Sequence, residues 1–144
     1  MTSVTLAQAG IIVDETLKKA RETRSAPLSV AVLDAGGHLV AFKREDNSSI
    51  LRFEIAFGKA YGALGMGFGS RELMERSKGN PSFVGALTAL SQGRLVPVPG
   101  GVLIKDASGV VIGAVGVSGD TSDRDEECAL AGIGRAGLSA QPGI

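Results

Sequence analysis

The sequence predicts an α+β sandwich, a mainly antiparallel sheet with helices packed on it. Three observations predict this. Two runs rich in β-branched residues are each broken by a polar turn, at Asp34-Ala35-Gly36-Gly37 and at Asp106-Ala107-Ser108-Gly109, which is a hairpin pattern. Helical periodicity brackets these hairpins instead of alternating with single strands, so a doubly wound parallel sheet is disfavoured. The 144 residues, 44% of them apolar, suit a single domain spanning 1–144 with one core.

Each element has its own signal. Thr5-Leu6-Ala7-Gln8 has the form of a capping box, and Leu6, Ala9, Val13, Leu17 and Ala20 recur at helical spacing, predicting a helix over about 5–25. Pro27 stops it, and the strands Leu28 to Asp34 and His38 to Arg44 follow around the Gly-Gly turn. The polar stretch Glu45 to Ser49 offers an N-cap to a second helix. Ile50, Phe53, Phe57, Ala60 and Leu64 mark one face of that helix, and Gly65 to Gly69 end it. Between 70 and 94, Leu73, Met74, Phe83, Leu87 and Leu90 fit one or two short helices broken at Lys78-Gly79-Asn80-Pro81. Leu95-Val96-Pro97-Val98 reads as a short edge strand, because its proline cannot donate to a central ladder. The hairpin after Gly100 supplies the last two strands. An acidic cluster then opens a final helix over about Ser122–Ala136, where unpaired N–H groups favour negative charge.

Composition excludes several functions. The 15 basic and 15 acidic side chains cancel without a basic block, so a nucleic-acid partner is not expected. No apolar run reaches the ~20 residues that span a bilayer, and Met1 to Val4 lack signal-peptide character, so no membrane association and a cytoplasmic location are expected. With 1 cysteine and 1 histidine there is no disulfide and no zinc-type cluster, and no metal site is expected. The 21 glycines are best explained by tight turns and close helix-on-sheet packing, with a backbone-lined ligand site as the competing explanation.

Several motif matches fail on mechanism. Gly65-x-Gly67-x-Gly69 follows a helix instead of a strand and lacks the lysine of a phosphate loop. Gly116-Val117-Ser118-Gly119 is too short for a nucleophile elbow. Asp34 reads as turn chemistry, His38 as a half-exposed surface residue more readily than a ligand, and Cys128 as a buried packing residue more readily than a nucleophile. Lys59 and Tyr61 lie near the glycine-rich end of the second helix, where an amine and a phenol can hold a carboxylate or transfer protons. A snorkelling lysine and a packed tyrosine account for them equally well. Asp125 and Glu126 read first as complements of the helix dipole and second as a base or acceptor facing a pocket.

The segments Val32 to Val40, Gly58-Lys59-Ala60-Tyr61, Val98-Pro99-Gly100-Gly101-Val102, Gly113 to Gly119 and Asp125-Glu126-Glu127-Cys128-Ala129, in that order, resemble the GlcG/HbpS-like haem-binding family, which includes the C-terminal domain of PduO. The resemblance implies a profilin-like α/β sandwich with a five-stranded antiparallel sheet, homo-oligomers, and a pocket near the second helix, the Gly-Gly loop and the last helix. It implies a small-molecule ligand, haem or another flat anionic metabolite, with Phe53, Phe57, Gly100, Gly101 and Ser118 as binding candidates. The alternative is a small lyase or isomerase for a carboxylated substrate, using Lys59, Tyr61, Asp125 and Glu126 for proton transfer, with Lys59 as the cation for an anionic group. Two departures stand out. Haem-binding members tend to carry a His-Thr pair where this chain has Asn47-Ser48-Ser49-Ile50, and Leu103 replaces a frequent proline.

Overall fold

Thr5 caps the first helix, α1 (Leu6–Glu22), through a reciprocal box in which Gln8 N donates to Thr5 Oγ1 and Thr5 N donates to Gln8 Oε1. The computed structural model describes residues 2–144. Ala9, Ile12, Val13, Thr16 and Ala20 form the buried face of α1, and Leu6 stands outside it, 71% exposed. The first hairpin, β1 (Ser29–Asp34) and β2 (Leu39–Arg44), turns as its sequence predicts. Asp34 Oδ1 accepts from the N–H groups of Gly36 and His38, both at 2.9 Å, which fixes the turn from its own side chain.

The second helix, α2 (Arg52–Met66), departs from expectation at its start. Its N-cap position is Leu51, with no side-chain cap, and the polar stretch before it instead forms a turn in which Arg52 N donates to Ser49 O. Ile50, expected on the packed face, is 90% exposed. Gly67, at φ +84°, ends the helix in the left-handed conformation that L side chains resist, so the Gly-x-Gly-x-Gly stretch is a helix terminus. Two short helices follow, α3 (Ser70–Gly79) and α4 (Pro81–Leu90), and Asn80 Oδ1 caps the second through Phe83 N.

Residues 95–98 are not a strand. They pass beside α2 as an irregular segment, where Val96 N donates to Gly58 O and Val98 N to Val96 O, and form no ladder with the sheet among the described residues. The remaining elements are β3 (Gly101–Lys105), β4 (Val111–Ser118), α5 (Ser122–Arg135) and a three-residue β5 (Ser139–Gln141). β5 takes the place in the sheet that 95–98 was expected to hold, pairing antiparallel with β3 from Leu103↔Gln141 to Lys105↔Ser139. The sheet is thus five-stranded, antiparallel throughout, in the order β2-β1-β4-β3-β5.

Alternation along the strands divides the core into two layers. Val30, Val32, Val102, Ile104, Val115 and Val117 point to α1 and α5, where Ile12, Val13, Cys128 and Ile133 meet them. Leu33, Leu103 and Ala114 point the other way, to Ala60 and Ala63 of α2. The α2 layer is built from small residues, and the helix backbone therefore lies almost on the sheet. A Cβ on Gly116 would stand 1.8 Å from Ala56 O, and one on Gly101 would stand 2.1 Å from Lys59 O. Close packing thus explains the central glycines. No helix of the described residues is long and apolar enough to cross a membrane.

Candidate functional site

Phe53, Phe57 and Tyr61 recur every fourth residue of α2 and so line one flank of the helix. Their ring centroids lie 5.9 and 5.6 Å apart, and Phe42 of β2 meets Phe53 edge-on at 4.9 Å. Across from this row the chain leaving α4 turns back through Gln92 and Gly93, which places the Arg94 guanidinium 4.5 Å from the centroid of the Tyr61 ring. The result is an aromatic groove beside α2. Three cavities open along it. One, of about 380 Å³, is lined by Phe53, Glu54, Phe57 and Gln92 to Arg94. The next, about 250 Å³, is lined by Tyr61, Met66, Leu87, Leu90 and Arg94, and a third, about 210 Å³, by Ala35 to Gly37, Tyr61 and Leu64. Tyr61 borders two of them, and its hydroxyl makes no hydrogen bond among the described residues.

Lys59 lies elsewhere. Its Nζ is buried, donating to Asp125 Oδ2 at 3.1 Å and to Val117 O at 2.8 Å. Asp125 Oδ1 in turn accepts from Asp120 N at 2.9 Å. Burial pushes the Lys59 ammonium below its ordinary range and the Asp125 carboxyl above its own, while the attraction between them favours both charges. Neither residue lines any of these three cavities. Glu126 is held by Arg71 of α3, whose Nε donates to Glu126 Oε2 at 3.0 Å and whose Nη2 donates to Asp123. This arginine, which ties α3 to α5, carries no signal in the sequence alone. Of the four proton-transfer candidates, the structure joins Lys59 to Asp125 and leaves Glu126 and Tyr61 apart from them.

The Gly-Gly loop is filled by protein. Gly101 N donates to Ser70 Oγ at 2.7 Å, and a Cβ on Gly100, at φ +119°, would stand 2.9 Å from Lys59 Nζ. Gly101→Val is expected to disturb the fold itself, since the added side chain collides first with the α2 backbone. Ser118, at the end of β4, is buried and accepts from Arg52 Nη1 at 3.0 Å. His38 is exposed, its Nδ1 3.1 Å from Asp34 Oδ1. Cys128 is buried in the α1–α5 layer, and burial raises its thiol above the ordinary value.

The family model for haem degrading protein HbpS-like matches residues 4–134. The chain belongs to this family. It is 33% identical over 125 residues to an uncharacterized 15.0 kDa protein of Citrobacter freundii from the dhaT-dhaS intergenic region, a match covering 87% of this chain and 86% of that one. Among solved structures, the ORFY protein of Klebsiella pneumoniae is 28% identical with a TM-score of 0.85, over 95% of this chain and 92% of that one. HbpS is 27% identical with a TM-score of 0.80, over 93% and 90%. A PduOC:heme complex shares the fold at 22% identity, with a TM-score of 0.85 over 96% and 98%.

Proposed function

We propose that the chain binds a flat, anionic ligand of the haem class in the groove beside α2. The observation that carries this reading is the uninterrupted row Phe53, Phe57, Tyr61 facing the Arg94 guanidinium across contiguous cavities. Aromatic faces take up a flat apolar ring system, and a guanidinium at the rim pairs with a carboxylate such as a propionate. The family match and the haem in the PduOC complex support the same class of ligand.

The donor set bears on haem in particular. Within the groove, the atoms able to face an iron are the Tyr61 hydroxyl and the Met66 thioether, both of types that ligate haem. The sole imidazole, His38, packs against Gly36 at the groove's edge, and its contact with Asp34 through Nδ1 leaves Nε2 free, the arrangement that orients metal-ligating histidines. The residues present therefore fit the group: Phe53 and Phe57 against its faces, Arg94 on its acidic edge, and the Tyr61 hydroxyl, Met66 or His38 toward its metal. Haem, when bound, supplies a redox-active iron. The chain's own residues hold and orient it and shield one of its faces from water.

Titrating the purified protein with haemin tests the reading. A Soret band that shifts and saturates at a fixed stoichiometry is expected, and Arg94→Gln should weaken binding roughly tenfold or more, on the scale of one hydrogen bond to a charged group. A broad, unshifted band that grows without saturating overturns it.

A further inference from the structure

At the start of α2, apart from the Arg94 end of the groove, two buried hydroxyls lack partners. Ser29 Oγ and Ser48 Oγ make no hydrogen bond, although Ser29 is fully buried and Ser48 is 6% exposed. A buried hydroxyl left unpaired costs free energy, and such groups in native proteins usually meet a water or a ligand. Two guanidiniums stand beside them. Arg44 Nη2 donates to Ser48 O at 2.7 Å, while Arg52 donates through Nη1 to Ser118 Oγ and through Nε to Ser49 Oγ. Among the described residues, neither arginine has a carboxylate partner.

The strand register brings these groups together. Ser29 lies opposite Arg44 on β2 and opposite Ser118 on β4, so the three side chains share one face of the sheet. It is the face that α2 covers, because Arg52 reaches Ser118 from above and Phe42, two residues before Arg44, packs on Phe53. The first turn of α2 has no side-chain cap, so its free N–H groups add partial positive charge there. Arg44 is exposed and borders an open cleft of about 440 Å³, which Arg21, Glu45 and Asp46 also line.

We propose that Arg44, Arg52 and the hydroxyls of Ser29 and Ser48 form a carboxylate-binding site whose ligand is a small aromatic acid. The guanidiniums and hydroxyls donate to the two carboxylate oxygens, which together offer about four acceptor positions. The ring of the acid lies against Phe42 and Phe53, whose edge-on packing supplies an apolar wall next to the charges. The site shares Phe53 with the groove and uses none of Tyr61, Met66 or Arg94, so it stands or fails apart from haem binding.

Benzoate is the probe, followed by NMR on the Arg52 Nε–H and the backbone amides of 29 and 48–54, with acetate and inorganic phosphate titrated in parallel. Saturable shifts at these groups are expected with benzoate, weaker ones with acetate, which lacks the ring, and the weakest with phosphate. Arg44→Gln and Arg52→Gln should each weaken benzoate at least tenfold. Ser48→Ala removes an unpaired donor and no contact of the free protein, so it should keep or raise the melting temperature while weakening benzoate several-fold. No saturable shift with benzoate, tighter binding of phosphate than of benzoate, or undiminished affinity in Ser48→Ala and the folded arginine variant overturns the proposal.

Discussion

Lys59 and Asp125 show how a residue that sequence marks as chemical is used by the fold. Removing one member of a buried ion pair strands the other, which costs about 3–5 kcal/mol, more than the pair itself contributes over an apolar substitute. Lys59→Met is therefore expected to lower stability by about that amount, contrary to the small effect that a snorkelling surface lysine would give. The double variant Lys59→Met/Asp125→Leu should recover most of the loss. Denaturant unfolding of the two single variants and the double checks this, and additive losses would show that the pair is not coupled. The sequence singled out both residues, but their partnership spans 66 positions and has no local signature. The same holds for Arg52 with Ser118 and for Arg94 with Tyr61. Phe53 and Phe57 were legible as one apolar face because they repeat within one helix, whereas Tyr61, a turn further on, was read with Lys59 instead of with them.

Elements with their own punctuation were read correctly, and elements defined by neighbours were not. The capping box, the Asp34 turn and the acidic start of α5 carry local hydrogen bonds that any structure of these segments would use. β5 has three residues and no apolar alternation, and only the free edge of β3 makes it a strand. Residues 95–98 have strand composition, yet that edge is taken, and Leu95 packs instead with Leu73 and Val84. The loop from β4 into α5 offers a test at this scale. Asp120 Oδ2 accepts from Ala26 N and Oδ1 from Thr121 N, both at 2.7 Å, so one carboxylate joins the entry of β1 to the start of α5. These N–H donors hold the Asp120 carboxyl below its ordinary value. A lowered folded-state value means that the contribution to stability is complete above the unfolded value, about 3.9, and is lost as pH falls through the folded one. Asp120→Asn should therefore lose stability at pH 7 and narrow its gap to the unsubstituted protein between about pH 5 and 3. Melting temperatures across that range check it, and a gap that stays constant with pH would assign the effect to packing instead of charge.

For the whole molecule, the remaining question is what covers its apolar surface. Neither face of the sheet is bare, because α1 and α5 cover one and α2 the other. The exposed apolar residues lie elsewhere. Ile50 and Leu51, consecutive in the turn before α2, are 90% and 61% exposed, and Leu39 on the edge strand β2 is 45% exposed. The outer edge of β2 also has backbone groups without a strand partner, since among the described residues β2 pairs with β1 alone. Single exposed apolar side chains are ordinary, but two adjacent bulky ones next to a free sheet edge suit a self-complementary contact between copies. A homo-oligomer is therefore expected, with Ile50 and Leu51 at the contact. Light scattering at micromolar concentration should give a multiple of 14.7 kDa, and Ile50→Glu/Leu51→Glu should return the mass to that of one chain with the melting curve still cooperative. A mass of 14.7 kDa for the unsubstituted protein would remove the expectation, and an oligomer that survives both glutamates would move the contact to another surface.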